Sequence, residues 1–228
     1  LSPPHVTRLL ITANVIIFLL VWLSDYVTAL SGLEIMSLEE AIRKYGMIPY
    51  NIMNGKRLHT LFTSMFLHGG VVHLVGNMLY LHIFGDNIEY AFGRGRYLAF
   101  YLLCGIAASV AHILSITTTG GWFVPAVGAS GAISGVLGAY LLLYPRARVL
   151  TLVLVYWVYI VHIPAVFFLG FWFIFQFLEG MLTLGLGMPS GVAYWAHIGG
   201  FVVGIALAPL LKKRRPPVRR EWSRYMSG

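Results

Sequence analysis

Apolar residues in this chain gather into runs long enough to cross a bilayer, separated by shorter polar stretches. The first run extends from about Leu9 to Leu30 behind Arg8 and is broken only by Asn14 and Asp25. No small-residue cleavage site follows a short apolar core, so a retained first span is expected. From residue 31 to about 70, Glu34, Glu39, Glu40, Arg43, Lys44, Lys56 and Arg57 mix with apolar patches such as Met47 to Tyr50. That mixture predicts a long loop carrying short interfacial helices. Further spans are expected from Val71 to Glu89, from Tyr97 to Ile116 and from Gly131 to Tyr144, the last closed by Pro145, Arg146 and Arg148. Asp86, Glu89, Arg94 and Arg96 read as a solvated or salt-bridged turn.

Polar residues inside apolar runs are costly, and function is their default reading. His73, Asn77 and Tyr80 fall on one face of the second span. The fourth opens on Gly128-Ala129-Ser130-Gly131, a serine between glycines at the mouth of a helix. Glycines let backbone approach a reacting carbonyl, and helix-start N–H groups face a developing oxyanion. In the last span, about Gly191 to Leu211, Ala196, Gly200, Gly204 and Ala208 recur every fourth residue, a small-residue stripe for tight helix contact with His197 beside it. Its expected partner is the face of Gly131, Ser134, Gly135 and Gly138.

The stretch from Val149 to Met188 has only His162 and Glu179 as ionisable residues and room for two spans. Ser130 and His197 both begin helices, and they meet only if an odd number of crossings separates them. One crossing, about Pro164 to Leu184, is the economical count. Val149 to Ile163, rich in β-branched and aromatic residues, then lies along the membrane surface or tucks against the bundle. The expected fold is an all-α membrane protein, a six-transmembrane helix bundle with a long first external loop. Residues 1–211 form its single domain and 212–228 a basic tail.

Composition agrees. The chain is 58% hydrophobic and 11% charged, with a mean hydropathy of +0.78, too apolar for an ordinary soluble domain. Its net charge of +8 does not imply nucleic acid. Arg8, Arg94, Arg96, Arg146, Arg148 and the tail from Lys212 to Arg220 all fall on one side of a six-span bundle, which the positive-inside bias names cytoplasmic. The expectation is a multi-pass protein of the plasma (inner) membrane with cytoplasmic termini and with His73, Asn77, Ser130 and His197 towards the other side. A single cysteine, Cys104, excludes an intramolecular disulfide.

With His68-Gly69-Gly70-Val71-Val72-His73 and Asn77, the Gly128-Ala129-Ser130-Gly131 turn, and Ala196-His197 followed by Gly200 and Gly204, the chain resembles the rhomboid intramembrane serine proteases of prokaryotic type. The resemblance implies Ser130 as nucleophile and His197 as general base and acid. It implies His73, Asn77 and the Ser130 N–H as the oxyanion site, with Gly128, Gly131, Gly200 and Gly204 supporting close approach. No acidic third member, metal or cofactor is implied, and the substrates are transmembrane segments of membrane proteins. Span five and the loop before His197 become candidates for a moving gate. Many relatives carry a Trp-Arg pair where His59 and Thr60 stand, and an aromatic one turn after the nucleophile where Ser134 stands, so a hydroxyl is expected to orient His197. Glu179 reads as a lip at the outer interface with a gating role open. No His-Glu-x-x-His zinc helix occurs, and Asp25 and Asp86 lack the setting of membrane aspartyl proteases. The alternatives are a non-catalytic relative that binds membrane clients, which would be expected to lose Ser130 or His197, and a small-molecule transporter, which would need a polar pathway to both faces where here the polar residues cluster at one end.

Overall fold

A computed structural model of the protein describes residues 4–31, 36–155, 157–187 and 191–213. Glu34 and the tail from Arg214 onward lie outside the described residues. The chain opens with α1 (His5–Ser31) and then builds the first loop from three short helices, α2 (Leu38–Tyr45), α3 (Pro49–Met53) and α4 (Thr60–Thr63), the last passing into a single 3-10 turn at Ser64–Phe66. α2 is set locally by a capping box, in which the Ser37 side chain accepts from Glu40 N–H and the Glu40 carboxylate accepts from Ser37 N–H. α5 (Val71–Phe92), α6 (Arg94–Thr119), α7 (Ser130–Leu143), α8 (Ala165–Leu186) and α9 (Tyr194–Leu211) follow. These five and α1 stand where the six apolar runs predict spans. α5 passes into α6 through Gly93 alone, whose φ of +83° suits glycine.

α1, α6, α8 and α9 are long and apolar enough to cross a membrane. α5 is as long as α8 at 22 residues, whereas α7 has 14. α7 is short because it is the central post: every residue from Gly131 to Tyr140 is buried by protein rather than lipid. Its closest neighbour is α9. A Cβ on Gly200 or Gly204 would collide with the carbonyl oxygens of Gly131 and Gly135, and one on Gly138 would collide with that of Phe201. The contacts advance together along both helices, so α7 and α9 run parallel with the single crossing α8 between them. The stripe therefore faces the helix that its spacing predicts.

Two details depart from expectation. The Val149–Ile163 stretch is an antiparallel hairpin of β1 (Arg148–Val155) and β2 (Trp157–Pro164), in register from Arg148 opposite Pro164 to Val155 opposite Trp157. Its base is tied to the bundle by Ala165 N–H donating to Ala147 O at 2.8 Å and Val166 N–H donating to Pro145 O at 3.0 Å. The largely helical bundle thus carries one β element, as β-branched side chains favour. Glu89, expected in a solvated turn, is only 3% exposed. Its carboxylate accepts from Val6 N–H at 3.0 Å, Thr7 N–H at 2.7 Å and the Thr7 hydroxyl at 2.8 Å, capping α1 from the far end of α5. At this same end, Lys213 N–H donates to Ala91 O at 2.9 Å, and Arg96 Nη1 reaches Leu211 O at 3.5 Å. The basic start of α6, with Arg94 and Arg96, and the end of α9 at Lys212 and Lys213 thus meet at one end of the bundle, away from Ser130.

Candidate active site

Ser130 is the first residue of α7, and the loop that delivers it is held by the first loop. Met47 N–H donates to Ala126 O at 3.0 Å and Ala126 N–H to Met47 O at 2.8 Å. Tyr50 N–H donates to Trp122 O at 3.0 Å, and Gly128 N–H to Ser64 O at 2.9 Å. Gly128 has a φ of +128°, where L side chains rarely go. A Cβ there would lie 2.9 Å from His73 Nε2 and 3.6 Å from Ser130 Oγ. The bare glycine therefore lets the His73 ring close over the turn beside the serine.

Ser130 Oγ lies 2.8 Å from His197 Nε2, and His197 Nδ1 lies 2.7 Å from Gln176 Oε1. An amide oxygen only accepts, so the ring proton sits on Nδ1 and is donated to Gln176. Nε2 is left as the acceptor of the Ser130 hydroxyl hydrogen, the tautomer in which an imidazole can take a proton from a serine. The Trp172 ring stands 6.0 Å from the imidazole, tilted by 36°. Ser134 does not orient the histidine: its hydroxyl donates to Ser130 O at 2.7 Å, a back-bond within its own helix. The expected hydroxyl is replaced by an amide and an indole, both from α8.

α5 carries His73 at the rim of this turn and Asn77 one helical turn further in. Asn77 is 8% exposed and, among the described residues, its Nδ2 donor has no partner. A buried unused donor costs free energy unless something accepts from it. His68, in the loop before α5, packs edge-on against His73 with ring centroids 5.1 Å apart, and neither of its ring nitrogens is hydrogen bonded among the described residues. Burial, helped by the neighbouring His73, pushes the His68 imidazole down to about 4, so it is neutral at pH 7. Beside Ser130 opens a cavity of about 50 Å³, with Ser64, Ser109, His112 and Gly128 in its lining. That is room for roughly three waters. Among the described residues, no three His, Cys, Asp or Glu side chains are grouped to hold a metal ion.

The structure thus brings Ser130, His197, His73 and Gly128 together, with Asn77 below His73 and with Gly131, Gly200 and Gly204 in the α7–α9 contact. Sequence reasoning missed Gln176, Trp172 and His112. Gln176 carried a readable signal, as the one amide in a run of α8 whose other polar residues are Glu179 and Thr183. Glu179, half-buried, follows it by one turn.

A profile of the Rhomboid domain matches residues 55–214. "RHOMBOID-like protein 6, mitochondrial" of Arabidopsis thaliana is 32% identical over 172 residues, 75% of this chain and 49% of its own length. "RHOMBOID-like protein 12, mitochondrial" of the same plant is 34% identical over 182 residues, 74% of this chain and 51% of its own. "Rhomboid protease GluP" of Bacillus subtilis is 33% identical over 152 residues, 66% of this chain and 25% of its own. The chain therefore spans about half the length of these plant relatives and a quarter of the bacterial one. α1, which precedes the matched residues, is joined to them by Glu89. From the extent of the profile match and the membrane-spanning helices that it covers, the chain belongs to the rhomboid family.

Proposed function

We propose that the protein is an intramembrane serine endopeptidase that cuts transmembrane segments of membrane proteins through Ser130 and His197. The observation that carries this reading is the 2.8 Å contact from Ser130 Oγ to an imidazole whose other nitrogen is engaged by Gln176. His197 Nε2 takes the serine proton as Oγ attacks the substrate carbonyl carbon. The tetrahedral oxyanion is met by the Ser130 N–H and by the His73 and Asn77 side chains. The imidazolium returns its proton to the leaving amine as the C–N bond breaks. Water, activated by the same nitrogen, then releases the acyl group and restores the serine.

The short central helix supports the hydrolytic half. Fourteen residues make α7 roughly 21 Å long against an apolar bilayer core of about 30 Å. With Tyr144 and Arg146 at one surface, Ser130 lies about 10 Å below the other, and water reaches it through the cavity at its side. A substrate helix must expose its carbonyls by unwinding there, so segments with small or helix-breaking residues near the cut are favoured. The arginine distribution supports an orientation with this end on the non-cytoplasmic side.

The test is cleavage of a transmembrane reporter by the purified protein in vesicles, with fluorophosphonate labelling alongside. Wild type is expected to cleave and to label, while Ser130→Ala and His197→Ala lose cleavage and keep their thermal stability. Cleavage that persists in Ser130→Ala overturns the assignment. Wild type that neither cleaves nor labels leaves a client-binding protein.

A further inference from the structure

The hairpin plays no part in the site, and its surface is of an unusual kind for a two-stranded element. Cross-strand partners share a face. The pairing of Leu150 with His162 and of Leu152 with Ile160, with Val158 one step further, therefore sets four aliphatic side chains on one side. Leu150, Leu152, Val158 and Ile160 are each between 59% and 66% exposed. The opposite face starts with Val149, buried in the core, and ends at the exposed Trp157 and Tyr159. Arg146 and Arg148 are exposed at the base.

An apolar hairpin of this size is marginal in water, and so contiguous an aliphatic face is a liability there. Deep insertion is no better. Among the described residues the sheet has two strands, so each has an outer edge whose N–H and C=O groups find no third strand there, and hydrocarbon cannot satisfy them. The headgroup boundary satisfies both demands, with acyl chains against the aliphatic face and water or lipid oxygens along the edges. Two further features choose lipid over a second copy of the chain. The exposed apolar surface continues past His162 into Val166, Phe167 and Phe171 of α8, a helix apolar enough to span. Arginines at the base and aromatics at the tip are the residue types that membrane interfaces select.

We infer that β1–β2 is a bilayer anchor, its Leu150–Leu152–Val158–Ile160 face resting in the acyl–headgroup boundary of the leaflet nearest Arg146 and Arg148. Through the Ala147 and Pro145 hydrogen bonds at its base, the anchor fixes the first turn of α8 relative to the membrane plane. Nitroxide labels at Leu152→Cys and Ile160→Cys, in a Cys104→Ala background, test it in phosphatidylcholine–phosphatidylglycerol vesicles. References are Lys56→Cys on the exposed first loop and Val202→Cys on the exposed side of α9. All four are exposed positions in the folded protein, and size-exclusion profiles confirm that the labelled chains remain folded. At 152 and 160, the ratio of oxygen to nickel-chelate collisions is expected to exceed that at Lys56 several-fold and to approach that at Val202. A ratio like that of Lys56 overturns the anchor by placing the hairpin in water. Oxygen preference accompanied by spin–spin broadening that vanishes on dilution with unlabelled protein also overturns it, by showing a second copy on this face.

Discussion

α7 and α8 each give His197 one hydrogen bond, and they are built in opposite ways. α7 meets α9 backbone to backbone, glycine against carbonyl, and is enclosed from Gly131 to Tyr140. α8 buries Ala165, Leu169, Gln176 and Gly180, while Phe167, Phe171, Ile174, Phe175 and Leu178 point outward. It is held to α9 by side-chain contacts, among them the Gln176 amide and the Trp172 ring on His197, the Trp195 indole N–H donating to Gly180 O at 3.1 Å, and Phe173 stacked on Phe201 at 4.7 Å. The distance from serine to histidine is thus fixed by main chain, and the orientation of the imidazole by side chains of a loosely seated helix. Under the proposed function, this is the helix that would shift for a substrate without unpacking the core, which gives physical content to the gate expected on span five.

The largest effect comes from breaking the main-chain contact. Gly204→Leu puts a branched side chain where even a Cβ meets the Gly135 carbonyl. No rotamer relieves a backbone clash, so α7 and α9 must separate, and a shift of about 1 Å at a reacting pair already costs on the order of 100-fold in rate. Cleavage is expected to fall below detection with a lowered unfolding midpoint, whereas Val202→Leu, on the exposed side of α9, retains both. Equal behaviour of the two variants would show that the glycine contact does not set the site.

Next in size is Asn77→Ala, which takes an unused buried donor from α5 and leaves the α7 and α8 contacts to His197 untouched. If Asn77 serves the oxyanion, kcat falls roughly 100- to 1000-fold with KM little changed. A change in KM alone would assign it to substrate binding instead.

Gln176→Leu probes the α8 side. The ring can then turn and exchange tautomers, but Trp172 still walls it and Ser130 still reaches it. The expected loss in kcat is about 10- to 100-fold, the range for removing a partner that orients an imidazole. The rate of fluorophosphonate labelling falls in parallel, and Gln176→Glu, which keeps an acceptor, recovers part of it. Unchanged labelling in Gln176→Leu would mean that Trp172 alone orients the ring.

What the sequence makes legible follows the same division. The spans and the glycine stripe could be read because the bilayer demands long apolar runs and close helices demand small residues at fixed spacing. Ser130, His73 and His197 announce themselves as polar groups at helix starts. The hairpin could not be read as β, since a short apolar run has no period that separates a strand from a buried segment. Glu89 was misread because its partners are the N–H groups and hydroxyl of residues more than 80 positions earlier, which no local pattern marks. Gln176 is not marked by the ionisable pattern that singles out His162 and Glu179 in this stretch, because the position needs a neutral acceptor for the Nδ1–H of His197.

The smallest effect concerns the first-loop wall, where neither main chain nor hydrogen bonds hold the histidine but burial alone. His68 is 1% exposed, has no hydrogen-bond partner among the described residues, and has its pKa lowered from 6.5 to about 4 by desolvation and by His73. Between those two values the unfolded chain binds a proton at this residue that the folded chain refuses, so stability falls as pH drops through the window. Above about 6.5 both states are neutral and the slope from His68 vanishes; below about 4 both are protonated and it vanishes again, with the loss complete. Thermal unfolding in detergent from pH 7 to pH 4.5 is therefore expected to show a falling midpoint in wild type and a flatter profile in His68→Phe, whatever the absolute midpoint of the variant. The difference cannot exceed one proton's contribution, since a single group titrates. Identical slopes would mean that the His68 imidazole takes up its proton in the folded protein at the same pH as in the unfolded chain, and that the wall behind His73 is wet.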